Sequence, residues 1–312
     1  MSTLDAPPSV ADSTAQAAPP HPAFAGFERW SGPGDPAMFF DWLGVRTRRD
    51  FFSLFQASTA SPGPSVLRPA YPPIDEEFFE WVDVLESVRC AAQSGQERFV
   101  MIELGAGWGR WLMRAAAAMR ALRPAFPVEL VAVEAEPEHF GFLLDHLRDN
   151  GINPANHDLR QAAVATESGH TPFFVGAGRR WYGQAIAGPD VGPVDAFPEA
   201  AIEQVPAVTL TELLEPRARV DLIDLDVQGV EADVLQSAAE LLDERVARAH
   251  IGTHGAAIER DCRSLFFDLG WSCVRDYPCG GQNIDTPQGP VDFGDGVQSW
   301  VNPRLVEQGG AA

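Results

Sequence analysis

Three glycines at alternate positions follow a short apolar run and form the strongest chemical signal in the sequence. They are Gly105, Gly107 and Gly109, and Glu103 stands just before them. Glycine lets a chain turn tightly and lets its backbone approach a ligand closely. The free N–H groups at the start of the helix expected to follow favour a carboxylate or a phosphate. The segment therefore predicts a loop that binds the charged part of a cofactor.

The spacing of these glycines discriminates between two classes of cofactor. Dinucleotide-binding loops usually read G-x-G-x-x-G/A, and their third small residue lets the helix pack closely on the strand. This loop reads G-x-G-x-G, and Arg110 occupies the place of the third small residue. An acidic residue before the glycines, together with the tighter spacing, resembles the first motif of S-adenosylmethionine-dependent methyltransferases. We predict that cofactor, and a nicotinamide cofactor is the alternative.

Further cofactor-binding candidates follow the next two predicted strands. Glu134 ends the second strand, where a carboxylate can accept hydrogen bonds from both hydroxyls of a ribose. Glu136, beside Pro137 at the start of a helix, is interpreted as a charge that complements the helix dipole. Gln161 and Ala162 lie at the end of the third strand, where the edge of an adenine ring is expected.

A second group of polar residues follows the fourth and fifth predicted strands. Asp226 and His254 end these strands, and ligands bind at the carboxyl ends of parallel strands. A neutral hydroxyl is a poor nucleophile, and a base within hydrogen-bond reach accelerates its attack by roughly a hundred- to ten-thousand-fold. His254 is the first candidate for this base, because imidazole accepts protons near neutral pH. Asp226 is the second, either as the base or as a group that orients the substrate.

Loop residues and acids near these strand ends are predicted to bind the acceptor, although aromatic loop residues can equally anchor a loop to the core. The acceptor-binding candidates are Trp181, Tyr182, Gln184, Gln228 and Glu231. An acid at Glu231 is also expected from the helix dipole alone. We expect no metal, because hard cations prefer several oxygen ligands and only one or two are identifiable near Asp226 and His254.

Alternating strand and helix patterns place these residues at one edge of a sheet. Predicted strands cover residues 99–104, 128–133, 159–164, 220–225, 247–253, 271–277 and 297–301, and predicted helices cover 109–122, 137–150, 230–242 and 256–269. This alternation predicts an α/β, doubly wound, mostly parallel seven-stranded sheet with helices on both faces.

Composition divides the chain into three parts. Residues 1–25 are rich in Ala, Pro and Ser and predict a disordered tail. Residues 26–97 combine aromatic residues with Pro and Gly breaks, which indicates short helices in an N-terminal helical extension or lid; a longer helix is predicted over 74–92. Residues 98–306 are predicted to form the methyltransferase domain.

The charge balance restricts the partners of the protein. There are 23 basic and 44 acidic residues, a formal net charge of -21, which disfavours nucleic acid and anionic membranes. The four cysteines show no metal-site spacing, and we find no signal peptide or apolar run long enough to cross a bilayer. We predict a cytoplasmic protein with a small-molecule acceptor and leave a homodimer open.

The segment from Asp224 to Glu231 reads Asp-Leu-Asp-Val-Gln-Gly-Val-Glu. With the glycine loop upstream, it resembles the FkbM family of S-adenosylmethionine-dependent methyltransferases, in which a strand ends in an IDVQGxE-like sequence. Stretches at residues 133–137, 208–214 and 252–254 are also similar to the family, so the resemblance covers about residues 98–276. At one position a lysine that is common just before the aspartate of the motif is replaced by Asp224.

This resemblance implies a class I, Rossmann-like methyltransferase fold that uses S-adenosyl-L-methionine for O-methylation of a sugar or another natural product. The predicted cofactor-binding residues are Glu103, Gly105, Ala106, Gly107, Gly109, Glu134, Gln161, Ala162 and Asp226. Two alternatives remain open: an NAD(P)-dependent Rossmann oxidoreductase, and a catalytically silent scaffold on a methyltransferase fold. The intact glycine loop argues against a scaffold that has lost its cofactor.

Overall fold

A computed structural model of the chain describes residues 19–51, 66–179, 182–188 and 200–306. The part that precedes the sheet contains a β-hairpin and a long helix. The hairpin pairs β1 (Met38–Phe40) with β2 (Arg46–Arg48) in antiparallel orientation, and the helix α1 spans Glu76–Gln93. Short 3-10 turns lie at Pro22–Phe24 and Arg49–Phe51.

The hairpin corrects the expectation of short helices in this part of the extension. Its turn is closed by Asp41, whose carboxylate accepts the backbone N–H groups of Leu43 and Val45. Gly44 adopts the left-handed conformation there, with φ 84°. An aspartate that bonds its own downstream backbone and a glycine with positive φ favour a tight turn over a helix.

The long helix α1 forms because its start is capped by a side chain and one of its faces is buried in the core. Asp75 caps its start by accepting the N–H of Phe78 at 3.2 Å. Apolar residues at helical spacing bury one face, among them Trp81, Leu85 and Val88. The helix predicted over residues 74–92 is therefore confirmed.

The remaining elements follow α1 in the order expected of alternating strands and helices. They are β3 (Phe99–Leu104), α2 (Arg110–Leu122), β4 (Val128–Val133), α3 (Pro137–Asp149), β5 (Asp158–Arg160), β6 (Ala163–Val164), β7 (Gly169–Val175), β8 (Ala201–Val208), α4 (Leu210–Leu214), β9 (Leu222–Leu225), α5 (Glu231–Ser237), α6 (Ala239–Arg245), β10 (Arg248–Thr253), α7 (Ala256–Asp268), β11 (Ser272–Tyr277), β12 (Ile284–Thr286), β13 (Gly289–Val291), β14 (Gly296–Val301) and α8 (Pro303–Val306).

A seven-stranded sheet forms the centre of the molecule, in the order β11-β14-β10-β9-β3-β4-β5. Only β14 runs antiparallel to its neighbours in this sheet. Side chains alternate between the two faces along β3: Met101 joins the core beneath α1 and α2, and Ile102 joins the core beneath α4 to α7. The predicted α/β, doubly wound, mostly parallel sheet is confirmed.

Two predicted elements differ in detail from the structure. The third predicted strand, residues 159–164, is divided: β5 joins the main sheet, and β6 joins a separate three-stranded sheet of order β6-β8-β7. The helix predicted over residues 230–242 is divided at Ala238 into α5 and α6.

The N-terminal extension shares a hydrophobic core with the sheet. Residues 1–18 of the predicted tail lie outside the described residues, but Phe24 is fully buried and stacks on Phe78 at 5.5 Å. The boundary predicted at residue 25 is therefore too late. Phe24 and Phe78 belong to the same core as Met101 of β3. Among the described residues, no helix combines the length and apolarity needed to cross a membrane.

Candidate active site

The glycine loop between β3 and α2 depends on all three of its glycines. Gly105, Gly107 and Gly109 have φ values of 76°, 54° and 69°, in the left-handed region that glycine adopts without strain. A Cβ atom on Gly105 would overlap the carbonyl oxygen of Asp226, and one on Gly109 would overlap the side chain of Leu143. No atom outside its chain neighbours lies within 4 Å of a Cβ placed on Gly107. The backbone at Gly107 is therefore open to a ligand.

Glu103 holds the glycine loop to the helix that follows it. Its carboxylate accepts the backbone N–H groups of Trp111 at 3.4 Å and Leu112 at 3.1 Å. Burial, and then the nearby charge of Asp224, raise the pKa of Glu103 well above its usual value. The buried Glu103 carboxylate therefore fixes the start of α2 against the loop, and its predicted contact with the cofactor stays a prediction.

Glu134 follows β4 and lies beside the glycine loop, as the sequence predicts. Its two oxygens accept the N–H groups of Gly107 and Glu136, each at 2.7 Å. Burial raises the pKa of Glu134 above its ordinary value. The neighbouring N–H groups of Gly105 and Ala106 both bond the carbonyl of Val133, so the loop is pinned to the end of β4.

The other candidates on the cofactor side lie just beyond this carboxylate. Ala162 donates its N–H to the carbonyl of Glu134 at 3.1 Å and is buried, whereas Gln161 is exposed. Glu136 caps α3 by accepting the N–H of His139, which confirms its predicted role at the start of that helix. The structure thus brings the predicted cofactor residues to one edge of the sheet.

A cluster of four titratable side chains lies at the same edge, beyond β9 and β10. His254 approaches Glu231 through Nδ1, 2.7 Å from Oε1. Its Nε2 lies 3.4 Å from Oδ1 of Asp226 and 3.6 Å from Oδ1 of Asp295. We refer to Asp226, Glu231, His254 and Asp295 as the acid–base cluster.

Sequence reasoning did not identify Asp295. This residue precedes β14, and because β14 is antiparallel its beginning lies beside the carboxyl ends of β9 and β10. Glu76, at the start of α1, accepts the N–H of Gly294 at 2.6 Å and fixes this turn. The available signal was an acid between two glycines directly before the last strand.

The motif after β9 folds into a closed turn. Gln228 has φ 58° and Gly229 has φ 117°, and Gly229 donates its N–H to both carboxylate oxygens of Glu231 at 3.0 and 3.1 Å. Gln228 donates from Nε2 to Asp226 at 2.9 Å. Glu231 is fully buried and bonded to His254 as well. The carboxylate positions His254, and its predicted contact with the substrate stays a prediction.

Charge within the cluster is set by competition between burial and neighbouring carboxylates. Burial lowers the pKa of His254, but the hydrogen bond to Glu231 and the charges of Asp226 and Asp295 outweigh it and raise this pKa to about 9. Desolvation raises the pKa of Asp226 to about 6, against the opposing charge of His254. The Asp226 side chain is still 50 % exposed, so its carboxylate is accessible to solvent. At neutral pH His254 is a cation and Asp226 an anion.

Two groups of side chains have the spacing of a cation site in the described part of the chain. The first is Asp226, Glu231 and His254, and the second is Glu80, Asp224 and His250. In the first group, His254 is hydrogen-bonded to Glu231 and forms an ion pair with Asp226. The expected absence of a metal stays a prediction.

Asp224, which replaces the lysine of the family pattern, does not line an open recess. It is 4 % exposed and lies beneath α1, hydrogen-bonded to Glu80. Burial, and then the charge of Asp224, raise the pKa of Glu80 well above its usual value. Asp224 therefore contributes to the contact between α1 and the sheet.

Tyr182 and Gln184, which are predicted to line the acceptor pocket, both bond to the core. Tyr182 donates its hydroxyl to the carbonyl of Phe51 at 2.7 Å, and its ring stacks on His139 at 4.7 Å. Gln184 is buried and donates to the carbonyl of Gly176 at 3.2 Å. Their predicted contacts with the acceptor stay predictions, and Trp181 lies outside the described residues.

The strand order, the glycine loop after β3 and the polar strand ends define a class I methyltransferase fold. The family described as Methyltransferase FkbM domain matches residues 105–265. The chain belongs to this family of methyltransferases.

One curated protein and two solved structures illustrate what this chain is similar to. A curated protein of Jannaschia sp. (strain CCS1), whose name places it among methyltransferases, is 28% identical over 285 residues, covering 89% of this chain and 97% of that protein. Among solved structures, Methyltransferase FkbM from Methylobacillus flagellatus KT has 12% identity and a TM-score of 0.37, covering 71% of this chain and 54% of that chain. Precorrin-6y C5,15-methyltransferase from Geobacter metallireducens GS-15 has 13% identity and a TM-score of 0.38, covering 71% and 86%. The fold assignment rests on the strand order.

Proposed function

We propose that this methyltransferase uses S-adenosyl-L-methionine and transfers the methyl group to a hydroxyl of a small molecule. The observation that carries the proposal is the shared edge of the glycine loop and the acid–base cluster. Gly105 packs against the carbonyl of Asp226, and the N–H of Asp226 bonds the carbonyl of Leu104 at 3.0 Å. A cofactor on the loop would therefore lie next to the titratable groups.

The residues on the cofactor side fit an amino-acid-bearing nucleoside. Gly107 leaves open space above the loop, so a ligand can approach the backbone closely there. Glu134 supplies an acidic group beside the loop for ribose hydroxyls. When bound, this cofactor supplies a methyl carbon that its sulfonium has already activated.

The acceptor side must hold the hydroxyl in line with that carbon and take up its proton. Positioning of this kind lowers a barrier by about 7–11 kcal/mol. Asp226 is the group that can accept the proton, because its pKa of about 6 leaves it ionised at neutral pH and its side chain is partly exposed. His254, with a pKa of about 9, is already protonated. The order of the two candidates from the sequence is thus reversed in this proposal: His254 holds and orients the base.

The charge of the protein supports a small acceptor. The net charge is -21, and the exposed Asp226 and the half-buried Asp295 add two carboxylates at the proposed acceptor site. A phosphate backbone would be repelled there. The four cysteines are free thiols, which agrees with the proposed cytoplasmic location.

The test is a labelled-methyl assay of the full chain against extracts of the source cell, with the product identified by mass spectrometry. We expect Asp226→Asn to slow transfer by about a hundred- to ten-thousand-fold, and His254→Ala to slow it as well. Both variants should keep their affinity for S-adenosylhomocysteine in calorimetry. Loss of that affinity in His254→Ala would contradict the role assigned to His254.

The same preparation separates the proposal from the two alternatives. A tryptophan-fluorescence titration with S-adenosylhomocysteine and with NADH should show binding of the first ligand alone. Binding of NADH alone would identify an oxidoreductase. Binding of S-adenosylhomocysteine without transfer to any acceptor would identify a silent scaffold.

A further inference from the structure

The β1–β2 hairpin is attached to α3, the helix that follows the second core strand. Asn150 bonds the backbone of Arg46 twice, accepting its N–H and donating to its carbonyl, each at 2.9 Å. Arg48 pairs with Asp145 at 2.7 Å and with Asp149 at 2.6 Å. These contacts hold the hairpin against α3. None of them involves a residue of the glycine loop.

One residue of α3 carries the contact from the hairpin to the loop. His146 is fully buried, with Nδ1 2.9 Å from the carbonyl oxygen of Trp108 and Nε2 3.1 Å from the hydroxyl of Thr47. A carbonyl can only accept, so Nδ1 carries the proton, and Nε2 accepts from the hydroxyl of Thr47. Burial lowers the pKa of His146 to about 4, which keeps this neutral tautomer at neutral pH.

Trp108 lies inside the glycine loop, between Gly107 and Gly109. The peptide unit that joins Trp108 to Gly109 is held at both ends: its carbonyl accepts from His146, and its N–H bonds the carbonyl of Ala106 at 2.7 Å. The ring of Trp108 is buried in a small cluster with Phe51 and Phe142. The orientation of this peptide unit is therefore fixed by one bond within the loop and by one bond from His146 outside it.

We propose that Thr47 and His146 are positioning residues for the cofactor, and that the N-terminal hairpin holds the glycine loop in its binding conformation. This inference rests on the proposed cofactor. A loop that is ordered before binding loses less conformational freedom when the ligand arrives, and affinity rises accordingly. The extension therefore influences the affinity for the cofactor through the hydrogen bonds that link Thr47 to His146 and His146 to the carbonyl of Trp108.

The test measures the affinity of the full chain for S-adenosylhomocysteine by calorimetry, together with the melting temperature. Thr47→Val removes the hydroxyl at nearly constant volume, and we expect it to raise the Kd about threefold to tenfold, the loss of one hydrogen bond. His146→Leu removes both bonds and should raise the Kd about tenfold to a hundredfold. His146→Asn should lie between them, because its amide still offers a donor to Trp108.

A matched control separates positioning from general stability. Thr209→Val removes the hydroxyl that caps α4, where Thr209 accepts the N–H of Glu212 at 3.2 Å, and should lower the melting temperature without changing the Kd. Unchanged affinity in Thr47→Val and His146→Asn, or an equal loss of affinity in Thr209→Val, would overturn the inference. Failure of the unaltered protein to bind S-adenosylhomocysteine would instead reject the cofactor itself.

Discussion

Two largely buried histidines distinguish the cofactor side of the molecule from the acceptor side. His146 is 0 % exposed, and the side chain of His254 is 14 % exposed. Burial favours the neutral form of both. His146 faces a carbonyl and a hydroxyl, and its pKa is lowered to about 4; His254 faces three carboxylates, and its pKa is raised to about 9. Burial decides the charge of His146, whereas the neighbouring carboxylates outweigh burial at His254.

This difference matches the work proposed for each side. A loop that binds a cofactor needs a fixed backbone shape, and the neutral bonds of His146 give that shape without a charge that changes with pH. A group that moves a proton needs charges that respond to pH, and the acid–base cluster supplies them. Substitutions on the two sides should therefore separate binding from catalysis.

The largest expected effect is on the cofactor side. Gly107→Val should abolish measurable binding of S-adenosylhomocysteine, because a branched side chain would occupy the open space above the loop and strain a φ of 54°. Calorimetry of the variant checks this result. The matched control is Gly151→Val, where φ is 73° and the Cβ also meets open space. Equal affinity in Gly107→Val and the unaltered protein would remove the loop from the binding site.

The next effect is on the acceptor side. Glu231→Gln should lower kcat about a hundredfold and leave the affinity for S-adenosylhomocysteine unchanged. The pKa of His254 falls when its main charged partner is removed, so the alkaline limb of the kcat profile should move to lower pH. A Kd that rises while the pH profile stays fixed would contradict the separation of the two sides.

Glu259→Gln is the control for this prediction. Glu259 is also a buried acid in the first turn of a helix, and it accepts the N–H of Cys279 at 2.6 Å. No ion pair joins it to His254 in the described part of the chain. Its substitution should reduce stability but leave the pH profile in place.

The same histidines predict opposite effects of pH on stability. His254 is raised from 6.5 to about 9, so its contribution is complete below pH 6.5 and is lost as pH rises through about 9. His146 is lowered from 6.5 to about 4, so the folded state loses stability as pH falls from 6.5 to about 4, where the unfolded chain binds the proton first. Each shift corresponds to about 3 kcal/mol.

Urea unfolding between pH 4 and pH 10 would measure both limbs. His254→Gln should flatten the alkaline limb, and His146→Asn should flatten the acid limb. If either variant kept the slope of the unaltered protein on its own limb, the assigned charge of that histidine would be wrong.

Much of the fold could be predicted because its signals are local. Continuous apolar runs bounded by glycine or proline gave the bounds of β3 and β4 to the residue. The strands β7 and β8 were missed because each contains a proline within an irregular pattern, at Pro172 and Pro206. The two strands pair with each other in antiparallel orientation, and this pairing provides hydrogen-bond partners for their other backbone groups.

The candidate site was predictable only where its residues end consecutive strands. Glu134, Asp226 and His254 could be found in this way, because the carboxyl ends of parallel strands meet. Asp295 could not, because its place depends on the direction of the last strand. The bond between Thr47 and His146 joins residues 99 apart in sequence, and no local pattern indicates it.

The smallest predicted effect tests which side Tyr182 belongs to. The sequence assigned it to the acceptor, whereas its ring lies 5.1 Å from that of Trp108 and its hydroxyl bonds the carbonyl of Phe51. Tyr182→Phe should therefore cost about 1 kcal/mol of stability, one hydrogen bond, measured by urea unfolding. The KM for the acceptor should not change, because the aromatic ring is retained on the cofactor side. An acceptor KM that rises severalfold at unchanged stability would return Tyr182 to the acceptor pocket and weaken the division between the two sides.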